Sequence, residues 1–253
     1  MRDKQARAIQ FRGLADWLRW LGGASEGASV WEAPGVVAAV VPACPDRSIA
    51  NSVAYAEEDA LAESYDRLRD LYASAGIEAW TVWTPEHDAG AIELLSDRGH
   101  KFDGKPAAMD LDLDAFDAVA GDLDYDADAS FDELGRLNDA AYGYAAETGY
   151  ARAMRGAPEG VPIRLYRARS GGETASVMAT IDHGGDLGVY FVATPEQHHG
   201  KGLATRLLTA ALLEARERGM RTSSLQSSAK GEGVYARLGY ERRFRLHLYE
   251  RRG

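Results

Sequence analysis

The run His199-Gly200-Lys201-Gly202-Leu203-Ala204-Thr205 has the residue types of an anion-binding turn. It follows a strand-like apolar run, "LGVYFVAT", and leads at once into a helical pattern that continues to about Glu217. Such a turn leaves the first amides of the helix without partners, and the helix dipole favours negative charge there. Gly200 and Gly202 let the backbone approach a pyrophosphate without a Cβ in the way, Ala204 is nearly as small, and Lys201 adds a cation at the rim. The amides from His199 to Thr205 are therefore expected to be free for a pyrophosphate. The spacing is neither that of a Walker A loop nor that of the Gly-x-Gly-x-x-Gly dinucleotide fingerprint. About thirty residues later comes "VYARLGY", in which Tyr235 precedes a glycine–aromatic pair on a short helical stretch.

Two other chemistries are tested and set aside. Asp122, Asp124, Asp126 and Asp128 alternate ahead of Glu133, as in a calcium loop. Ala127 stands where such a loop needs glycine and no helix precedes the run, so it reads as a solvated linker. The six histidines are scattered, with no cysteine pair and no His-x-x-x-His helix, and no metal is inferred.

The elements that must position the glycine turn are legible around it. Ser130 and Glu133 form a capping-box pattern ahead of a helix carrying Leu134, Leu137 and Ala141. Two β runs joined at "SGGE", a turn at "HGGD" and a third run give a meander. After the glycine turn and its helix, Gly219 closes that helix. "RTSSLQSS" reads as a strand, "GEGVYARLG" as a short helix and "RRFRLHLYE" as a final strand. The N-terminal half repeats this order. It has an amphipathic helix with Leu14, Trp17, Leu18 and Leu21 on one face, then three strand-like runs and a long helix ending at Gly76. A strand, a helix and a strand follow. Aligning "AIELLSDRGH" with "EGVYARLGY" places Gly99 against Gly239 and Leu95 against Tyr235. Two copies of one α/β unit result, joined in the acidic segment from about Asp114 to Asp122.

The chain has 253 residues and a formal net charge of −10. A nucleic-acid binder shows a basic footprint that this composition lacks, whereas a cationic small substrate suits the charge. The longest apolar runs are far too short to span a bilayer, and the N-terminus lacks the features of a secretory signal. Cys44 is the only cysteine. The expectation is a reducing, cytoplasmic setting.

"HGKGLA" and "VYARLGY" at this separation resemble the GNAT superfamily of acyl-CoA-dependent N-acyltransferases. The family's coenzyme motif, Gln/Arg-x-x-Gly-x-Gly/Ala, falls on His199 to Ala204, with histidine in the first place. Its Tyr-x-x-Leu-Gly-Phe segment falls on Tyr235 to Tyr240, with tyrosine in the last place. The resemblance covers Leu123 to Gly253. It implies an α/β fold with a mixed sheet, here as two GNAT-like folds in tandem. Residues 1–116 form a degenerate copy and residues 122–253 the working N-acetyltransferase domain, with acetyl-CoA as co-substrate. Val192, Ala193 and Thr194 then pair with the pantetheine arm, and His199 to Thr205 take the pyrophosphate. The Val192 amide faces the thioester carbonyl, and Tyr235 is the general acid. Asp182, His183 and Glu147 are candidates for the general base, and Tyr142 and Tyr144 for the acceptor wall. The first copy reads "AYAEEDALAESY" where the glycine turn belongs. Glu57, Glu58 and Asp59 repel a pyrophosphate, and the half is expected to support the fold or close one wall of the acceptor pocket. The expected acceptor is an amine, small or peptidic, and the protein is expected to be a monomer or homodimer. The alternative is a non-catalytic acyl-CoA-binding or regulatory GNAT-like protein.

Overall fold

The computed structural model of the protein describes residues 2–119, 121–145 and 149–253. The N-terminal half runs α1 (Arg2–Gly23), β1 (Ser29–Ala33), β2 (Val36–Val40), β3 (Ser52–Tyr55), α2 (Glu58–Ser74), β4 (Ala79–Pro85), α3 (Ala89–Asp97), β5 (Lys101–Gly104) and β6 (Ala107–Asp112). The C-terminal half runs β7 (Tyr125–Asp126), α4 (Phe131–Tyr142), β8 (Ile163–Ser170), β9 (Glu173–His183), β10 (Asp186–Ala193), α5 (Leu203–Glu217), β11 (Thr222–Ser227), α6 (Glu232–Arg237) and β12 (Glu241–Arg252). The mixed α/β reading holds. β5 is the strand that the sequence pattern misses: it is four residues long, lies almost wholly exposed and has a single apolar side chain, Phe102.

All the strands join in one mixed sheet, in the order β1-β2-β3-β4-β12-β6-β11-β10-β9-β8-β7, with β5 also against β12. The two halves exchange their last strands. β6, from the first half, lies between β11 and the start of β12. The rest of β12 crosses into the first half and pairs with β4 on one side and β5 on the other. Neither half holds a complete sheet without the other. One apolar core lies on the face covered by α1 and α4 and takes residues from both halves, including Leu18, Val37, Leu134 and Val177. Two further cores lie on the other face, one under α2 and α3 and one under α5.

Each half contains one parallel strand pair, β3 with β4 and β10 with β11. Both pairs run in register for three residues and then part, Ala54 from Trp83 in the first half and Gly188 from Ser224 in the second. Diverging strands leave backbone groups and apolar surface to be covered. In the first half α1 covers them. The Arg7 Nε donates to the Ala56 carbonyl just past β3, at 2.7 Å. Its two terminal nitrogens donate to both oxygens of Asp88 just past β4, at 2.6 and 2.8 Å. The Tyr55 hydroxyl donates to the same carboxylate at 2.9 Å. A guanidinium therefore bridges the gap that is left open in the second half.

The Asp88 side chain is only 4% exposed. Removing one partner of such a buried pair typically costs about 3–5 kcal/mol. Arg7→Met is expected to lower the unfolding free energy by about 3 kcal/mol, measured by urea titration, with both halves unfolding in one transition. A change below about 1 kcal/mol, or two separated transitions, contradicts this account of the shared sheet.

Candidate active site

The site starts from an irregularity in β10. Its ladder with β9 pairs Tyr190 with Ala179 and Ala193 with Val177, so Phe191 and Val192 together face a single residue, Met178. This is a β-bulge, which leaves its extra residue out of the ladder. Phe191 adopts a φ of 50° and is the only non-glycine residue with positive φ among the described residues. Its ring is held by Trp20, edge-on at 5.4 Å, by Trp17 at 6.3 Å and by Tyr150 at 6.4 Å. Trp17 and Trp20 lie on α1, so the N-terminal half fixes the bulge in the C-terminal half.

Where β10 leaves β11, a cavity of about 450 Å³ opens toward α5. Val192, Ala193 and Thr194 form one wall, and His199, Gly200 and Gly202 with Leu203, Ala204 and Thr205 form its far end. Gly200 and Gly202 have φ of 75° and 67°, the left-handed region that a side chain resists. The amides from Gly200 to Thr205 have no partner among the described residues, while that of His199 is bonded to the Glu196 carbonyl at 3.0 Å. The free series is therefore one residue shorter than the sequence implies. The His199 ring instead donates from Nε2 to the Thr194 carbonyl at 2.7 Å and ties the turn to the end of β10.

A second cavity, of about 360 Å³, continues beyond the first. Tyr142, Val192, Ser228, Gly231 and Tyr235 line both. Val192 and Tyr235 thus stand at the passage between a channel ending in free helix amides and an aromatic chamber. Burial and the neighbouring Tyr142 push the Tyr235 phenol above its ordinary value, so it carries its proton at neutral pH. Its hydroxyl has no hydrogen-bond partner among the described residues.

Residues 147–250 match the family model described as "Acetyltransferase (GNAT) domain". Residues 147–250 are thus a GNAT acetyltransferase domain. A GCN5-related N-acetyltransferase from Kribbella flavida superposes with a TM-score of 0.66 at 19% identity, covering 98% of this chain and 96% of that one. A GCN5-related N-acetyltransferase from Sphaerobacter thermophilus gives 0.55 at 14%, covering 86% and 80%. A tandem GNAT protein from the clavulanic acid biosynthesis pathway, solved without AcCoA, gives 0.55 at 17%, covering 91% and 85%. At these identities the likeness is one of fold. No curated protein matches the chain in sequence.

Of the residues expected at the coenzyme site of the GNAT domain, Lys201 is absent from the cavity wall. Its ammonium reaches the Ser170 hydroxyl at 3.4 Å, and its carbonyl accepts from Arg206 at 2.9 Å. Lys230, between β11 and α6, lines the cavity instead, unmarked in sequence by any motif. The base candidates separate. Asp182 is held by Arg164 at 2.8 Å and Arg218 at 3.1 Å, away from both cavities. His183 is buried behind the chamber wall, with Nδ1 on Asp16 at 2.7 Å and Nε2 on the Tyr190 hydroxyl at 2.9 Å. Burial alone would raise the Asp16 carboxyl, but bonds from His183 and Arg19 hold it below its ordinary value. This chain reaches the chamber only through Tyr190, whose hydroxyl donates to the Gly13 carbonyl at 2.7 Å. Glu147 lies outside the described residues.

Tyr142 and Tyr144 line the chamber as expected. Trp17, Ile49 and Trp83 from the N-terminal half close its other side. Asn138 was missed, though its spacing marks it as a polar residue among Leu134, Leu137 and Ala141 on the inward face of α4. In the first half the counterpart of the coenzyme cleft carries Arg7 and Glu57 at its surface.

Gly202→Val places a β-branched side chain in the left-handed region at the start of α5. It is expected to weaken acetyl-CoA binding about tenfold or more in calorimetry while the fold persists. Unchanged affinity contradicts the assignment of the turn.

Proposed function

We propose that the protein transfers an acetyl group from acetyl-CoA to an amine, with the working site in residues 122–253 and with residues 1–116 as a non-catalytic support. The observation that carries this reading is the passage itself. A bulged strand and a protonated tyrosine meet where a channel ending in free helix amides joins a second, aromatic chamber.

In this reading the pyrophosphate lies on the amides from Gly200 to Thr205, and the pantetheine arm follows the free edge of β10 past Thr194. The amine enters from the chamber and attacks the thioester carbon. A C–N bond forms, the carbonyl oxygen takes negative charge, and the fixed Val192 amide stabilises that charge more than it stabilises the neutral carbonyl. The C–S bond then breaks, and Tyr235 donates to the departing sulfur. The proton lost by the amine leaves through water. A cytoplasmic setting fits Cys44, which is buried and free.

General acids typically contribute about 10²–10⁴-fold. Tyr235→Phe is expected to lower kcat about 100-fold and to leave the calorimetric affinity for acetyl-CoA within about twofold. Equal losses in kcat and affinity contradict the acid role, and an absence of heat with the unaltered protein at millimolar acetyl-CoA contradicts the whole reading. Binding without turnover of any amine favours the non-catalytic alternative.

A further inference from the structure

The chamber beyond the passage carries more information about the acceptor than the charge of the chain does. Its described lining residues are all uncharged. Rings dominate it, with Trp17 and Trp83 from the first half facing Tyr144, Tyr150 and Tyr190 from the second. Trp17 and Tyr190 stack in nearly parallel planes 6° apart, and Trp17 meets Trp83 edge-on. Among these rings stand two carboxamides, Asn138 from α4 and Gln226 from β11.

Asn138 is 3% exposed, and its side chain makes no hydrogen bond with any described residue. Its polar atoms are not sealed inside the protein, so the space they reach is the chamber. A carboxamide that faces the chamber without a protein partner can bond a ligand that offers the complementary group.

The orientation of Gln226 follows from its neighbours. The Met109 carbonyl can only accept, so the Gln10 amide nitrogen faces it, at 3.1 Å. The Gln10 oxygen then faces Gln226, which must present its own nitrogen, at 2.7 Å. The Gln226 oxygen is left over as an acceptor without a partner. Gln10 is 2% exposed, so this relay is fixed inside the protein and reaches the chamber only at its end.

We propose that Asn138 and Gln226 are the specificity-determining residues for the acceptor, and that the acceptor is a primary amine carried on a flat aromatic skeleton. The Gln226 oxygen accepts from the amine N–H and turns its lone pair toward the passage at Val192, Asn138 bonds a second polar group of the acceptor, and the rings stack on its body. A single ammonium is tolerated against ring faces before it loses its proton. A linear polyamine offers these rings no flat body to stack on. This inference rests on the acetyltransferase reading and narrows its acceptor.

The test compares tryptamine with spermidine at fixed, saturating acetyl-CoA, following release of free thiol. Tryptamine is expected to give a kcat/KM about tenfold or more above spermidine. Gln226→Leu and Asn138→Leu are each expected to raise the KM for tryptamine about tenfold, with acetyl-CoA affinity by calorimetry unchanged. Tryptamine turned over no faster than spermidine, including both at background, overturns the inference, as does an unchanged KM in both variants. Calorimetry on the unaltered protein separates the two levels: acetyl-CoA binding with the wrong amine preference defeats this inference alone, and no acetyl-CoA binding defeats the acetyltransferase reading beneath it.

Discussion

The site depends on one residue held where it would not go by itself. Phe191 sits at a φ of 50°, a region that costs a non-glycine residue about 1–3 kcal/mol. Three aromatic contacts surround its ring, from Trp17, Trp20 and Tyr150. Contacts of this kind contribute about 0.5–1.5 kcal/mol each beyond the area they bury, enough together to offset the strain. With Phe191 fixed, β10 leaves the β9 ladder out of step by one residue and Val192 comes to the passage between the cavities. Two of the three rings lie on α1, so an element of the first half holds the geometry of the bulge in the second half.

The same helix explains why the two halves differ. Both contain a short parallel pair that parts after three residues. In the first half the gap is spanned by Arg7, bonded to Ala56 and Asp88. In the second it is left open below the glycine turn. The acidic residues at the start of α2 are one obstacle to a phosphate in the first half, and the Arg7 bridge is a second, physical one. α1 therefore closes one cleft and supports the other, and the exchange of β6 and β12 ties both clefts into one sheet.

Much of this was legible in the sequence wherever a local rule sufficed. The capping box at Ser130 and Glu133 is present with both of its bonds, the glycine turn opens α5, and the order of elements repeats between the halves. The long-range arrangement was hidden. Nothing in "RRFRLHLYERR" marks the point near Arg245 at which β12 passes from one half's sheet to the other's, because the alternation of the strand continues unbroken. His199 was legible as a departure from the family motif but not as the side chain that ties the turn to Thr194, since that bond depends on how the turn folds back. The walls of the chamber come from α1, α4, β4, β10, β11, α6 and loops; Tyr142, Tyr144, Val192 and Tyr235 were legible through the family resemblance, Asn138 left a local trace as a polar residue on an apolar face, and Trp83 and Gln226 left none. Asp182 looked like a base because it ends a strand near the site; its two arginine partners lie far away in sequence.

The most direct measurement is a crystal structure of the complex with acetyl-CoA. The account predicts the pyrophosphate on the amides between Gly200 and Thr205, the pantetheine along the free edge of β10, and the thioester oxygen about 3 Å from the Val192 amide. Coenzyme bound in the groove bridged by Arg7, or a thioester oxygen turned away from Val192, contradicts it.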